Sequence, residues 1–283
     1  MDVSENKYIA SGLFALIGAT LGIVLNYWFF LSYYKPLIAA QQEICGPGCV
    51  MIITYLLPAF TDIGMIAGAL YAISAVGFFS KEKWAYTAAV IANVLALWTS
   101  FWPSIPILDA MGKMENDPGF FPVYIFIFIP NIILYFLING VTGKRNFGRL
   151  IVGLLTGMAF IMAFINGTAS LNIMYVKGLN SLDNSLYVMA NRLFWLAAFG
   201  YGLITIGIMC FPKKWVRMLG IGCALICMLF GFPMGIITTL EKTAALGELE
   251  ISMYLGAPVI SLVLVVIFLI PALWNKIIQP DKE

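Results

Sequence analysis

Eight runs of about 18 to 25 residues, each apolar almost throughout, limit what this chain can become. They cover roughly 9–33, 56–79, 84–102, 121–138, 149–166, 188–211, 216–238 and 251–275. A helix of about 20 apolar residues spans the hydrocarbon core of a bilayer, about 30 Å thick, and each run meets that length. A water-soluble core has no room for eight of them in 283 residues, of which 61% are hydrophobic and 11% charged, against about 25% charged in an ordinary soluble domain. The sequence therefore predicts an all-α polytopic membrane protein with eight transmembrane helices. The first run, about 25 residues, exceeds the 7–15 of a signal-peptide core and reads as a retained span.

Short polar joints such as Ser80-Lys81-Glu82-Lys83, Gly143-Lys144-Arg145-Asn146 and Pro212-Lys213-Lys214 separate the runs and leave no space for a soluble domain. Alternate joints differ in charge. One side collects Lys7, Lys81, Lys83, Lys144, Arg145, Arg149, Lys213, Lys214, Arg217, Lys276 and Lys282 against five acids, a net +6. The other holds Lys35, Lys113, Lys177, Arg192 and Lys242 against nine acids, a net −4. Cationic joints stay in the cytoplasm, so both termini are expected inside, which fits an even number of spans. The overall charge of +2 gives no reason to invoke nucleic acid.

The two halves echo one another. Tyr71 precedes Gly77 by six residues, Lys83-Trp84 opens the next run, and that run ends at Trp102-Pro103. Tyr201, Gly207, Lys214-Trp215 and Phe232-Pro233 repeat the order at an offset of 130 or 131. Pro122-Val123 and Pro258-Val259 begin a further pair, with Leu137/Asn139 and Leu273/Asn275 following at matching positions. Two tandem four-helix units, 1–143 and 144–283, are expected. Four spans is an even number, so the units share one orientation and a pseudo-twofold axis along the membrane normal. Lysine and tryptophan at membrane interfaces are also common punctuation, which is the alternative reading of the same echoes.

The repeat places Asp62 and Arg192 at equivalent positions with opposite charge. They are candidates for an ion pair between the bundles or for contact with a solute. Nineteen residues separate Asp62 from Lys81, about 28 Å of helix, which sets the aspartate near the outer interface. Cys45 and Cys49 flank Gly-Pro-Gly on the outer side and are candidates for a disulfide. Cys223 and Cys227 share a helix face and read as small apolar residues. Asn26, Asn93, Asn131 and Asn166 are expected to hydrogen-bond between helices, and Gly18/Gly22, Gly64/Gly68, Gly153/Gly157 and Gly231/Gly235 to let helices approach closely. Asn166-Gly-Thr168 is a formal glycosylation sequon.

The chain contains no histidine, which removes histidine-ligated metals and His-based acid–base chemistry. It also carries no phosphate loop, dinucleotide fingerprint, nucleophile elbow or metalloprotease helix. No catalytic residue, metal or cofactor is expected, and an enzyme of its own is not indicated. Three functions fit what is left. One is a non-catalytic accessory or scaffold subunit of a larger membrane complex, with lipids and other membrane subunits as partners, in the plasma membrane. The others are a small-solute carrier with a path between the bundles, and a quinone-site subunit of a redox complex. Two tandem four-helix bundles resemble, in fold only, the quinol-handling membrane anchors of polysulfide-reductase-type complexes.

Overall fold

A computed structural model describes residues 5–45, 47–110, 112–113, 124–177, 185–249 and 251–278. Among them every regular element is helical. Seven helices are long and apolar enough to cross a membrane, and an eighth span is completed if a sharply bent pair near the C-terminus counts as one. The chain divides into two compact units, Met1–Arg145 and Asn146–Glu283.

In the first unit, α1 (Glu5–Thr20) runs through a π-helical turn at Leu21–Leu25 into α2 (Asn26–Cys45). The resulting span, Glu5–Ile44, has 40 residues, about 60 Å of helix and twice the thickness of a hydrocarbon core. It continues well past residue 33, where hydropathy falls, and takes Pro36 into its interior. Next come α3 (Pro47–Phe79), which starts nine residues before the apolar run and contains Pro58, then α4 (Trp84–Phe101) and the short α5 (Ser104–Asp109). The unit closes with α6 (Ile125–Leu137) and a second π-helical turn at Ile138–Thr142. Hydropathy marks the part of a helix that lipid requires, whereas the helix itself runs on as long as its carbonyls find donors. Pro103, by contrast, does mark a boundary, falling between α4 and α5.

The core of this unit is built from small residues. Ala15, Ala67, Ala75, Ala85, Ala89 and Ala92 are buried with Tyr71 and Phe78, while Leu31 and Val24 are 60% and 62% exposed. That is the reverse of a water-soluble bundle and follows from the solvent: lipid is as apolar as leucine, so helices associate where backbones can approach. Backbones come together where the π-helical turn Leu21–Leu25 meets α3. A Cβ on Gly22 would stand 2.7 Å from the Gly68 Cα and 2.8 Å from the Gly64 carbonyl oxygen, so only glycine fits there.

The second unit comprises α7 (Phe147–Lys177), α8 (Ser185–Cys210), α9 (Lys214–Leu246), a 3-10 turn at Met253–Leu255, α10 (Gly256–Leu269) and α11 (Pro271–Ile278). Helix α9 passes through Pro233 and continues for 13 further residues, so this proline does not end the span as Pro103 ends α4. Gly231 and Gly235 on α9 make room for Pro258 and Leu255. The last apolar run, expected as one span over 251–275, breaks at Ile270. That residue is extended, with ψ 109°, and α11 leaves α10 at 96°. Pro271 lacks the N–H that would continue the helix, and the Trp274 ring, 5.8 Å from that of Phe268, holds the bend.

Candidate functional site

Polar side chains are scarce inside the spans, and the partners of those among the described residues define the chemistry available there. In the first unit, α3, α4 and α6 meet at Tyr71, Asn93 and Asn131, all buried. The Asn93 amide donates to the Tyr71 hydroxyl at 2.7 Å and to the Asn131 carbonyl at 2.9 Å. Tyr71 in turn donates to Asn131 Oδ1 at 3.4 Å. Toward the start of α2, the Asn26 amide donates to the Thr61 carbonyl at 2.9 Å and ties α2 to α3. At the other end, Tyr86 donates to Asn139 Oδ1 at 2.7 Å, and the hydroxyls of Ser11 and Thr142 are hydrogen-bonded.

The second unit uses a smaller vocabulary. The Tyr201 hydroxyl meets Ser261 at 2.8 Å, joining α8 to α10, and Thr156 meets Thr205 at 2.9 Å between α7 and α8. The Asn191 amide donates to the Gly167 carbonyl at 2.6 Å, and that of Asn166 to the Tyr254 carbonyl at 3.0 Å. In each unit, then, a buried tyrosine on the second span bonds a polar residue on the last span, 60 positions further along the sequence. Replacing either tyrosine by phenylalanine should destabilise the protein in detergent by about 0.5–1.5 kcal/mol, measured as a shift in its unfolding midpoint.

The asparagines act as the sequence suggested, as links between helices. The tyrosines were visible only as spaced anchors, and nothing in the sequence assigned their hydroxyls a partner. Two arginines were counted as part of the positive joints and turn out to be structural. Arg149, 3% exposed, donates from Nε to the Ile208 carbonyl at 2.7 Å and from Nη2 to that of Met209 at 3.1 Å. Arg217 does the same for Phe268 and Leu269, at 2.5 and 2.9 Å. Each guanidinium forks onto the last carbonyls of a neighbouring helix, α8 or α10, where acceptors are left over and the helix dipole favours a cation.

Asp62 and Arg192 are both exposed, on α3 and α8, and among the described residues neither joins a buried cluster of its own unit. The side chains of Cys45 and Cys49 lie outside the described residues. Cys223 and Cys227 are buried thiols. Among the described residues no group of three or more Cys, Asp or Glu is placed to hold a metal ion. The sequon at Asn166 is closed: the side chain is fully buried and its amide is engaged, so a glycosyltransferase has no access to it. Expression with a glycosylation machinery should yield a single unglycosylated band, with no mobility change on endoglycosidase treatment. Lys81, also a residue with a left-handed backbone, pairs with Glu5 at 2.8 Å, and that hydrogen bond raises the ammonium above its ordinary pKa.

No protein family, no curated protein and no solved structure matches this chain.

Proposed function

We propose that this chain is a non-catalytic accessory or scaffold subunit of a larger complex in the plasma membrane, built as two duplicated four-helix units with both termini in the cytoplasm. One observation carries this reading. The polar groups buried in each unit bond chiefly to one another and to helix carbonyls, while bulky apolar side chains such as Leu31, Leu196 and Leu229 face outward. Such a molecule offers its surroundings a shaped apolar surface rather than a reactive interior, and lipid or partner helices are what such a surface binds. The duplication is supported by the paired tyrosine links and by Lys83-Trp84 and Lys214-Trp215, which stand at the starts of α4 and α9.

Asp62 and Arg192 enter as contact points. An exposed charge about 26 Å of helix from the far end of its span is costly facing lipid alone, and it gains from an opposite charge. Reversing either one (D62R or R192D) should weaken recovery of the complex at least tenfold, measured by quantitative co-purification from native membranes. Unchanged recovery in both single variants, together with solute-dependent stabilisation of the isolated chain, would replace this reading with the carrier.

A further inference from the structure

Four arginines occur in the chain, and three lie in the positive joints. Arg149 and Arg217 spend their guanidinium groups on helix carbonyls. Arg145 does not. Its backbone N–H donates to the Asn139 carbonyl at 3.1 Å, and its guanidinium carbon lies 5.5 Å from the centre of the Tyr86 ring. Its Nε is buried without a hydrogen-bond partner among the described residues.

The local backbone is organised to put it there. The π-helical turn at Ile138–Thr142 ends with Gly143 N–H donating to the Ile138 carbonyl. Gly143 is the residue that fits there, because a Cβ would stand 2.7 Å from the backbone carbonyl oxygen of Asn139 and 2.5 Å from the Tyr86 hydroxyl oxygen. Lys144 then takes a left-handed conformation, φ 48°, which costs a non-glycine residue about 1 kcal/mol and folds the chain back toward Tyr86. Tyr86 is itself fixed by its bond to Asn139.

Two more cations stand close to these residues in sequence. Lys144 adjoins Arg145, and Lys83 stands three residues before Tyr86, at the start of α4, where its side chain makes no capping bond; both lysines are exposed. Of the acids at this end of the first unit, among the described residues, Glu5 is engaged by Lys81 and Glu82 is exposed in the turn before α4. A planar guanidinium held against an aromatic face, with no hydrogen bond to its fork among the described residues, a lysine adjacent to it in sequence and a second one turn before Tyr86, matches a phosphate group. Its level, at the end of two spans, is where phospholipid phosphates lie.

We infer that Arg145, with Lys83 and Lys144, forms a binding site for the phosphate of an anionic phospholipid in the leaflet at this end of the first unit. Tyr86 and Asn139 position the guanidinium, and the two lysines supply the excess charge that favours an anionic lipid over a zwitterionic one.

The test uses the full-length protein in zwitterionic detergent and reads lipid adducts by native mass spectrometry and thermal unfolding. Phosphatidylglycerol, phosphatidylcholine and inorganic phosphate are added in separate arms. Phosphatidylglycerol should stay bound and raise the unfolding temperature, whereas the other two should not. Arg145→Gln should need about tenfold more phosphatidylglycerol for the same effect, with Arg145→Lys in between. Lys83→Gln should weaken binding less, and it provides a second variant if Arg145→Gln fails to fold. The double change Lys213→Gln/Lys214→Gln, at the start of α9, should leave this lipid in place. Equal retention by Arg145→Gln, an equal loss in the α9 variant, or equal stabilisation by inorganic phosphate would each overturn the lipid site. Because the chain is assayed alone, none of these outcomes depends on whether it has partner subunits.

Discussion

Leucine in place of Gly22 is expected to prevent the π-helical turn between α1 and α2 from seating on α3 and to cost about 3 kcal/mol or more, enough to abolish most folded protein. The reason is the absence of anything that can yield. An added Cβ meets backbone atoms of Gly68 and Gly64 at 2.7 and 2.8 Å, not the end of a flexible side chain. Gly68 is held in the same way, with the Ile23 backbone nitrogen 2.8 Å from where its Cβ would be, so Gly68→Leu should behave alike. Gly22→Ala should show a smaller loss of the same kind. Gly222 is the control, since a Cβ there meets nothing within 4 Å and Gly222→Ala should fold as well as the parent. The readout is the fraction of monodisperse protein in mild detergent and its unfolding midpoint.

Removing Arg149 is expected to be nearly as damaging. Arg149→Met deletes two charge-assisted hydrogen bonds and returns the Ile208 and Met209 carbonyls, at the end of α8, to an environment with few donors. Hydrogen bonds from charged groups contribute about 1.5–3 kcal/mol each when buried, so a loss of about 3 kcal/mol is expected. Arg149→Lys should recover only part of this, because an ammonium cannot fork onto two successive carbonyls. Amide exchange should rise most in the last turn of α8 and the start of α9, around 206–216. Arg217→Met should cost less, because that arginine is half-exposed and water can replace it.

What the sequence disclosed and what it hid divide along a physical line. Hydropathy is a property of segments, so the lengths that cross lipid were readable, and seven of them stand as continuous helices. Where a helix ends is a matter of hydrogen-bond partners, and there the sequence misled. Phe232-Pro233 was expected to end a run, yet Pro233 lies inside α9, as Pro36 and Pro58 lie inside α2 and α3, because a proline at such a site removes one donor and leaves the rest of the ladder intact. The last run, expected as one span over 251–275, turns a corner of 96° at Pro271. Glycine spacing disclosed close packing, and Gly22 and Gly68 meet as that spacing suggests. The partners of Arg149, Arg217 and Tyr201 lie between 51 and 60 residues away in sequence. No local pattern encodes such contacts; they exist only once the helices are packed.

The most direct test of the accessory-subunit account is native mass spectrometry of the tagged chain, purified from its own membranes with mild detergent. The account predicts a defined assembly containing this chain and other membrane subunits in fixed stoichiometry, with bound lipid, and loss of the partner chains in the D62R or R192D variant. A lone, lipid-bound monomer whose unfolding temperature rises with a small solute would contradict it.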